Sequence, residues 1–173
     1  FGFSSGGTAA IEAALTDSRI KVLITLDATV RNYLNFKDTF IFKSINAIGK
    51  IKKTFTSADL RLDLTHLLKT VSAAHDSTVN ETIISDPKLR AAYAAFPFPG
   101  AAQCAFVDTI RRVNQLNIPT LVIHGKEDHI DPPQSAQLFF DRLTCVKDLK
   151  LIDNSGHCGL LDTQKNQIMD LTV

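Results

Sequence analysis

Short apolar, β-branched runs bounded by polar residues recur at positions 20–26 (IKVLITL), 120–124 (TLVIH) and, more weakly, 149–152 (LKLI). Runs of this length and composition predict strands buried on both faces of a sheet. Between them the period changes. Residues 8–15 (TAAIEAAL) are Ala-rich and follow the pair Gly6-Gly7, which predicts a helix opened by a glycine turn. After Pro133, a residue suited to a helix start, Ala136, Phe139, Phe140 and Leu143 recur at i, i+3, i+4 and i+7, the signature of a core-facing helix. Strands separated by helices predict an α/β domain with a mostly parallel sheet and crossover helices.

The stretch from 28 to 115 is patterned differently. Leu60, Leu64, Leu67, Leu68 and Val71 make one helical stripe, and Ala102, Phe106, Ile110 and Val113 another. This predicts a helical subdomain inserted into the α/β core, with the core formed by 1–27 and 116–173. Asp86-Pro87 and the segment 96–100 (FPFPG) supply breaks within it. Over 40–55, Ile41, Ile45, Ile48 and Phe55 share one helical face and Lys43, Asn46, Lys50 and Lys53 the opposite one. That pattern predicts a basic amphipathic helix, packed on the subdomain core or touching a lipid surface. The last residues, 163–173, predict a short closing helix.

Composition narrows the function classes. The chain has 173 residues, 45% hydrophobic and 21% charged, with 19 basic against 18 acidic side chains and a net charge of +1. That is the profile of a globular domain able to bury its own core. A balance so close to neutral argues against a nucleic-acid partner, which calls for a clustered surplus of Lys and Arg. Cys104, Cys145 and Cys158 are odd in number and irregular in spacing, so they predict neither a disulfide framework nor a zinc site, and they fit a reducing, cytoplasmic setting. Phe1 stands inside the first motif discussed next, so a targeting segment upstream would lie outside this sequence.

Gly2-Phe3-Ser4-Ser5-Gly6 fits G-x-S-x-G directly before the first helical run. A serine on a sharp strand-to-helix turn tolerates only minimal neighbours two residues away on each side, which Gly2 and Gly6 provide. Ser4 is then a candidate nucleophile. The N–H of Ser5, at the helix start, becomes a candidate oxyanion donor. Asp128 follows the run 120–124, and His157 follows 149–152, so both candidates sit just beyond a strand. Serine, carboxylate and histidine thus occur in the order Ser, Asp, His, each just after a strand. A turn or cap role is the plainer reading of Asp128; Asp131, ahead of Pro132 and Pro133, fits a cap better and is the fallback acid.

On the pieces GFSSGG, IPTLVIHGKEDHIDPP and LIDNSGHCGLLD, and on the 29-residue interval from Asp128 to His157, the chain resembles an α/β-hydrolase of the monoacylglycerol lipase, lysophospholipase and serine aminopeptidase type. The resemblance implies Ser4 as nucleophile, His157 as general base and then acid, and Asp128 as the residue that orients His157. It further implies that 28–115 is the family's cap. The family's earlier strands, and the loop that gives a second oxyanion donor, have no counterpart in these residues. The implied activity is a serine hydrolase cleaving carboxylic esters with an apolar acyl group. Thioesterase, carbon–carbon hydrolase and aminopeptidase chemistry use the same arrangement. A ligand-binding module without catalysis is the rival from another class.

No cofactor and no metal are expected. Neither phosphate-cradling glycine motif is present, and His124 and His129 flank Asp128 without an HExxH arrangement or a cysteine companion. His66 and His75 lie in the insertion as expected helix residues without partners at ligand spacing, and Cys158 beside His157 is expected to pack rather than to attack. The expected partner is a small ester substrate, lipid-like in character. Membrane contact would be peripheral at most.

Overall fold

The computed structural model describes residues 1–32, 34–98 and 106–172. Cys104 and Ala102 lie outside the described residues. Two compact units are present, one made of Phe1–Arg31, Ser72–Asn80 and Asp108–Val173, the other of Asn32–Val71 and Glu81–Val107.

The first unit is an α/β layer structure. Its four strands, β1 (Gly2–Phe3), β2 (Leu23–Leu26), β5 (Thr120–Gly125) and β6 (Lys147–Ile152), pair in that order and all in parallel. Helix α1 (Ser5–Thr16) follows β1, α6 (Pro133–Arg142) joins β5 to β6, and α7 (Lys165–Asp170) comes near the end. Alternation sorts the strand residues between two cores. Leu23 and Val122 pack with Ile11 of α1 and with Ala136, Phe139 and Leu143 at α6. Leu26, Ile123 and Ile152 pack with Ile168 of α7. Strand β6 is an edge strand carrying Lys147, Asp148 and Lys150, which keeps its apolar signal weak and its free edge unattractive to other strands.

Several expectations shift. Strand β2 begins at Leu23 instead of 20, because pairing with β5 starts at Leu23 opposite Thr120, and Val22 before it is exposed. The stripe from Leu60 to Val71 is not one helix: β3 (Arg61–Leu62) precedes a single turn, α3 (Thr65–Leu68), and of the stripe only Leu68 is buried. Ile110 and Val113 lie in 3-10 turns, Thr109–Arg111 and Val113–Gln115, and belong to the core of the first unit rather than to the insertion. Tertiary burial against Ile11 and Val30 decides their place, which helical spacing alone does not.

The second unit holds α2 (Phe36–Thr56), α3, α5 (Pro87–Ala94), most of α4 (Ser77–Ser85), and a two-stranded ribbon of β3 with β4 (Phe96–Pro97). It is narrower than the 28–115 insertion expected, since 28–31, Ser72–Asn80 and 108–115 belong to the first unit. Asp86 caps α5 by accepting from Leu89 N at 2.7 Å, with Pro87 in the first turn, as the break at that pair predicts. Helix α2 differs from its predicted facing. Gly49 is its buried residue and Phe42 stacks on Phe98 at 5.8 Å, whereas Phe36, Phe40, Ile41, Ile48, Ile51 and Phe55 are exposed.

One close approach brings the ends of β5 and β6 together. A Cβ on Gly125 would stand 2.3 Å from the Ser155 carbonyl oxygen and 2.6 Å from that of Gly156, both backbone atoms that cannot step aside without moving the His157 loop. Gly125→Ala should therefore destabilise the protein by about 1–3 kcal/mol, the cost of overpacking, read as a lower midpoint in urea at an unchanged slope.

Candidate active site

The chain leaves β1 at Phe3 and enters α1 at Ser5, so Ser4 turns it within one residue. Its backbone sits at φ 51, ψ −126, a strained region for a residue with a Cβ. Space for the turn comes from Gly2, where a Cβ would lie 2.5 Å from the Gly6 oxygen and 2.6 Å from the Gly7 Cα. A Cβ on Gly6 would meet nothing within 4 Å, so its smallness answers no clash among the described residues. The Ser4 N–H donates to Leu26 O at 3.0 Å, fastening the turn to β2. Ser5 opens α1, and its N–H has no carbonyl one turn behind it.

Because the sheet is parallel, the loops after β5 and β6 emerge at the same edge as Ser4. There the three candidate side chains meet. His157 Nδ1 lies 2.8 Å from Asp128 Oδ2, and His157 Nε2 lies 2.8 Å from Ser4 Oγ. With the proton on Nδ1, where the carboxylate accepts it, Nε2 is left to accept from the serine hydroxyl. Phe3 packs beside the imidazole at 5.4 Å between ring centres. An imidazole held this way can take the proton of a serine that attacks a carbonyl, and then deliver it to a leaving group.

Asp128 divides its two oxygens. Oδ1 accepts from the backbone N–H groups of Ile130 and Asp131, both at 2.8 Å, which is the turn role, while Oδ2 faces His157. The turn role is met by Oδ1, and Oδ2 is left to face the imidazole. Asp131 is also buried, but its carboxylate accepts from the Thr29 hydroxyl. Burial works against the Asp128 charge, yet hydrogen bonds from His124 and His157 outweigh it and hold its carboxyl well below the usual range. Burial likewise pulls the His157 pKa down, and the hydrogen bond and charge of Asp128 more than reverse this, leaving it above the ordinary value.

Two residues near this arrangement carried no signal of their own in the sequence. His124, set aside above as a residue without metal company, is 1% exposed and lies 3.3 Å through Nε2 from Asp128 Oδ2. Asp27, just past β2, is fully buried at φ 48. Asp27, His124 and Asp128 each offer a ligand atom within 4.8 Å of one another. Most of these atoms already have protein partners: Asp27 Oδ1 accepts from Gly125 N, and His124 Nε2 bonds Asp131 O. His129 and His66 are exposed, and burial pushes the Cys158 thiol up, away from thiolate chemistry.

A third residue, Asp162, holds the loop that carries His157. It is 2% exposed, and its carboxylate accepts from four backbone N–H groups: His75 and Gly156 on Oδ2 at 2.7 and 2.8 Å, Asp76 and Thr163 on Oδ1 at 3.0 and 2.9 Å. Cys158 N donates to Ala73 O at 2.7 Å. The segment Ser72–Asn80 is thus strapped across the His157 loop. It reaches the Asp128 loop as well, since His75 Nδ1 meets Glu127 Oε2 at 2.6 Å; His75 stands in a bend, not in the helix expected above. Asp162→Ala should leave these N–H groups unsatisfied, costing about 2 kcal/mol or more. Amide exchange at His75, Asp76 and Gly156 should accelerate more than at the centre of β5, which checks that the strap opens locally.

Residues 1–164 match the model of a family described as serine aminopeptidase, S33. No curated protein sequence matches the chain. Among solved structures, the monoacylglycerol lipase of Paleococcus ferrophilus superimposes with a TM-score of 0.66 at 17% identity, covering 99% of this chain and 64% of that one. A soluble variant of monoglyceride lipase from Saccharomyces cerevisiae gives 0.69 at 20%, covering 99% and 58%. A bromoperoxidase from Bacillus anthracis gives 0.63 at 21%, covering 98% and 62%. The chain spans about three fifths of the length of these structures, and at such identities the likeness is one of fold. With its parallel sheet, its helices on both faces and residues 1–164 matched, the chain belongs to the serine aminopeptidase S33 family and carries a partial α/β-hydrolase fold.

Proposed function

We propose that the chain carries the reaction centre of a serine hydrolase that cleaves carboxylic esters with an apolar acyl group, monoacylglycerol-like or smaller. The observation that carries this reading is the pair of 2.8 Å hydrogen bonds linking Ser4 Oγ, His157 and Asp128. Ser4 Oγ attacks the ester carbonyl carbon as its proton passes to His157 Nε2. The carbonyl oxygen becomes an oxyanion next to the Ser5 N–H. Collapse expels the alcohol, which takes the proton from Nε2, and leaves an acyl group on Ser4. Water then gives a proton to Nε2 and adds to the acyl carbon; collapse returns the proton to Ser4 and releases the acid. Asp128 stays ionised throughout and balances the imidazolium. The inserted helical unit takes the part of the family's cap in this reading. No cofactor enters any step.

A peripheral lipid contact draws support from α2. Phe36, Phe40, Ile41, Ile48, Ile51 and Phe55 are exposed along it, with Lys43 and Lys50 also in solvent. An apolar face bordered by lysines matches the chemistry of an anionic lipid surface. No helix among the described residues is long and apolar enough to cross a membrane.

Four measurements check the reading. A fluorophosphonate should label Ser4, with the adduct lost in His157→Ala, and Ser4→Ala should lower ester turnover by about a thousandfold or more with folding intact; turnover retained in Ser4→Ala removes the assignment. The pH profile has a definite sign. Catalysis needs neutral His157, and Asp128 favours its protonated form, so kcat/KM should fall on acidification with a midpoint above 6.5, the ordinary imidazole value. Finally, the chain should co-sediment with vesicles containing phosphatidylglycerol more than with phosphatidylcholine alone, and Phe40→Ser with Ile51→Ser should abolish the difference.

A further inference from the structure

Behind the Ser4, His157 and Asp128 arrangement lies a second imidazole–carboxylate pair. Because a carbonyl oxygen only accepts, the 2.7 Å contact of His124 Nε2 with Asp131 O puts a proton on that nitrogen. The same N–H lies 3.3 Å from Asp128 Oδ2, the oxygen that also faces His157 Nδ1 at 2.8 Å. One carboxylate oxygen therefore sits between two imidazole N–H groups. On the other side of the His124 ring, Nδ1 faces Asp27 Oδ1 at 3.9 Å. Asp27 is fully buried; its Oδ1 accepts from Gly125 N at 2.8 Å, and its Oδ2 has no hydrogen-bond partner among the described residues.

Burying Asp27, His124, Asp128 and His157 within a few ångströms of one another opposes folding unless the charges balance. A sheet core needs none of them for packing. We propose that His124, backed by Asp27, is a positioning residue for Asp128: it presents a second N–H to the oxygen that holds His157, and the Asp27 charge behind it sets how readily the pair of imidazoles holds its protons. This rests on the hydrolytic reading of Ser4, His157 and Asp128. Asp27 is pushed up to about 7 by burial, against the opposing charge of His124, so it gains its charge in the same pH range in which His157 works. Burial lowers the His124 pKa, and the Asp128 hydrogen bond and Asp27 charge reverse that, leaving it above the ordinary value.

The groups around His124 define the signs. Asp27 faces it from the end of β2, and Asp128 and Asp131 from the loop after β5, where Thr29 donates to the Asp131 carboxylate; His157, from the loop after β6, shares Asp128 Oδ2 with it. Removing the Asp27 charge takes away an attraction for a proton on His157. Removing the His124 charge takes away a repulsion. The two substitutions should move His157 in opposite directions.

The test combines a nitrogen-15 histidine NMR titration with ester kinetics on the wild type, Asp27→Asn, His124→Gln and His124→Leu. Asp27→Asn should lower the His157 midpoint by at least about half a pH unit, and His124→Gln, which keeps an N–H donor without the charge, should raise it. His124→Leu should lower kcat at least about tenfold at nearly unchanged KM, with His124→Gln recovering part of the loss. A His157 midpoint that stays put in both Asp27→Asn and His124→Gln, or moves the same way in both, overturns the proposal. If His124→Leu does not fold, the near-isosteric Asp27→Asn decides alone: an unshifted midpoint overturns, a lowered one supports. The NMR midpoints report imidazole protonation whether or not an ester is turned over, so turnover surviving in Ser4→Ala would remove the hydrolytic reading while the midpoints still judge this one.

Discussion

The turn at Ser4 is the constraint from which the rest of the site follows. A strand that feeds a helix within a single residue needs a strained backbone at the turn and an empty position where the helix folds back, and the chain meets both with Ser4 at φ 51 and Gly2 facing the Gly6 oxygen. The Ser4 N–H bond to Leu26 O then ties the turn to the end of β2. Once β2, β5 and β6 run parallel to β1, each chain reversal at their carboxyl ends comes to the same edge as the serine hydroxyl. Ser4 and His157, 153 residues apart, meet because of strand direction, not proximity in sequence.

Holding the site together is then a problem of charge. Asp128 at 2% exposure would be costly to keep ionised, and its two oxygens resolve the cost separately. Two backbone N–H groups hold Oδ1 and fix the loop; the His157 imidazole bonds Oδ2, with His124 Nε2 at 3.3 Å beside it. Asp162 solves the same problem on the neighbouring loop with four backbone N–H groups, and spends its bonds on position alone. Two buried carboxylates in one unit thus differ in role because of what donates to them: peptide N–H groups that cannot give up a proton, or imidazoles that can.

What was legible in the sequence depended on how local its cause is. The meeting of Ser4, Asp128 and His157 could be read because Asp128 and His157 each follow a short apolar run and two glycines flank Ser4, all of which are near-neighbour signals. The buried face of α2 could not, because most of its apolar stripe, Ile41, Ile48 and Phe55, stays in solvent, and the choice falls to the contact of Phe42 with Phe98 fifty-odd residues on. Ile110 and Val113 look like a helical stripe but are fixed by Ile11 and Val30 in the first unit's core. Asp27, His124 and Asp162 have ordinary neighbours in sequence and gain meaning only when three loops converge.

That division bears on how far the family carries the chemistry. Structures described as a lipase and as a bromoperoxidase share this fold at comparable TM-scores, so the sheet and its turn do not choose the reaction. A serine, an imidazole and a carboxylate in hydrogen-bonded series favour acyl transfer, and they do so equally for esters, thioesters and amides. What separates such reactions is how basic the imidazole is when the leaving group departs, since an amine needs its proton earlier than an alkoxide does. In this chain that basicity is not set by Asp128 alone. On the hydrolytic reading proposed above it is shared with the Asp27 and Asp131 charges near the carboxylate, which would place part of the selectivity behind Asp128, at the buried pair of His124 and Asp27.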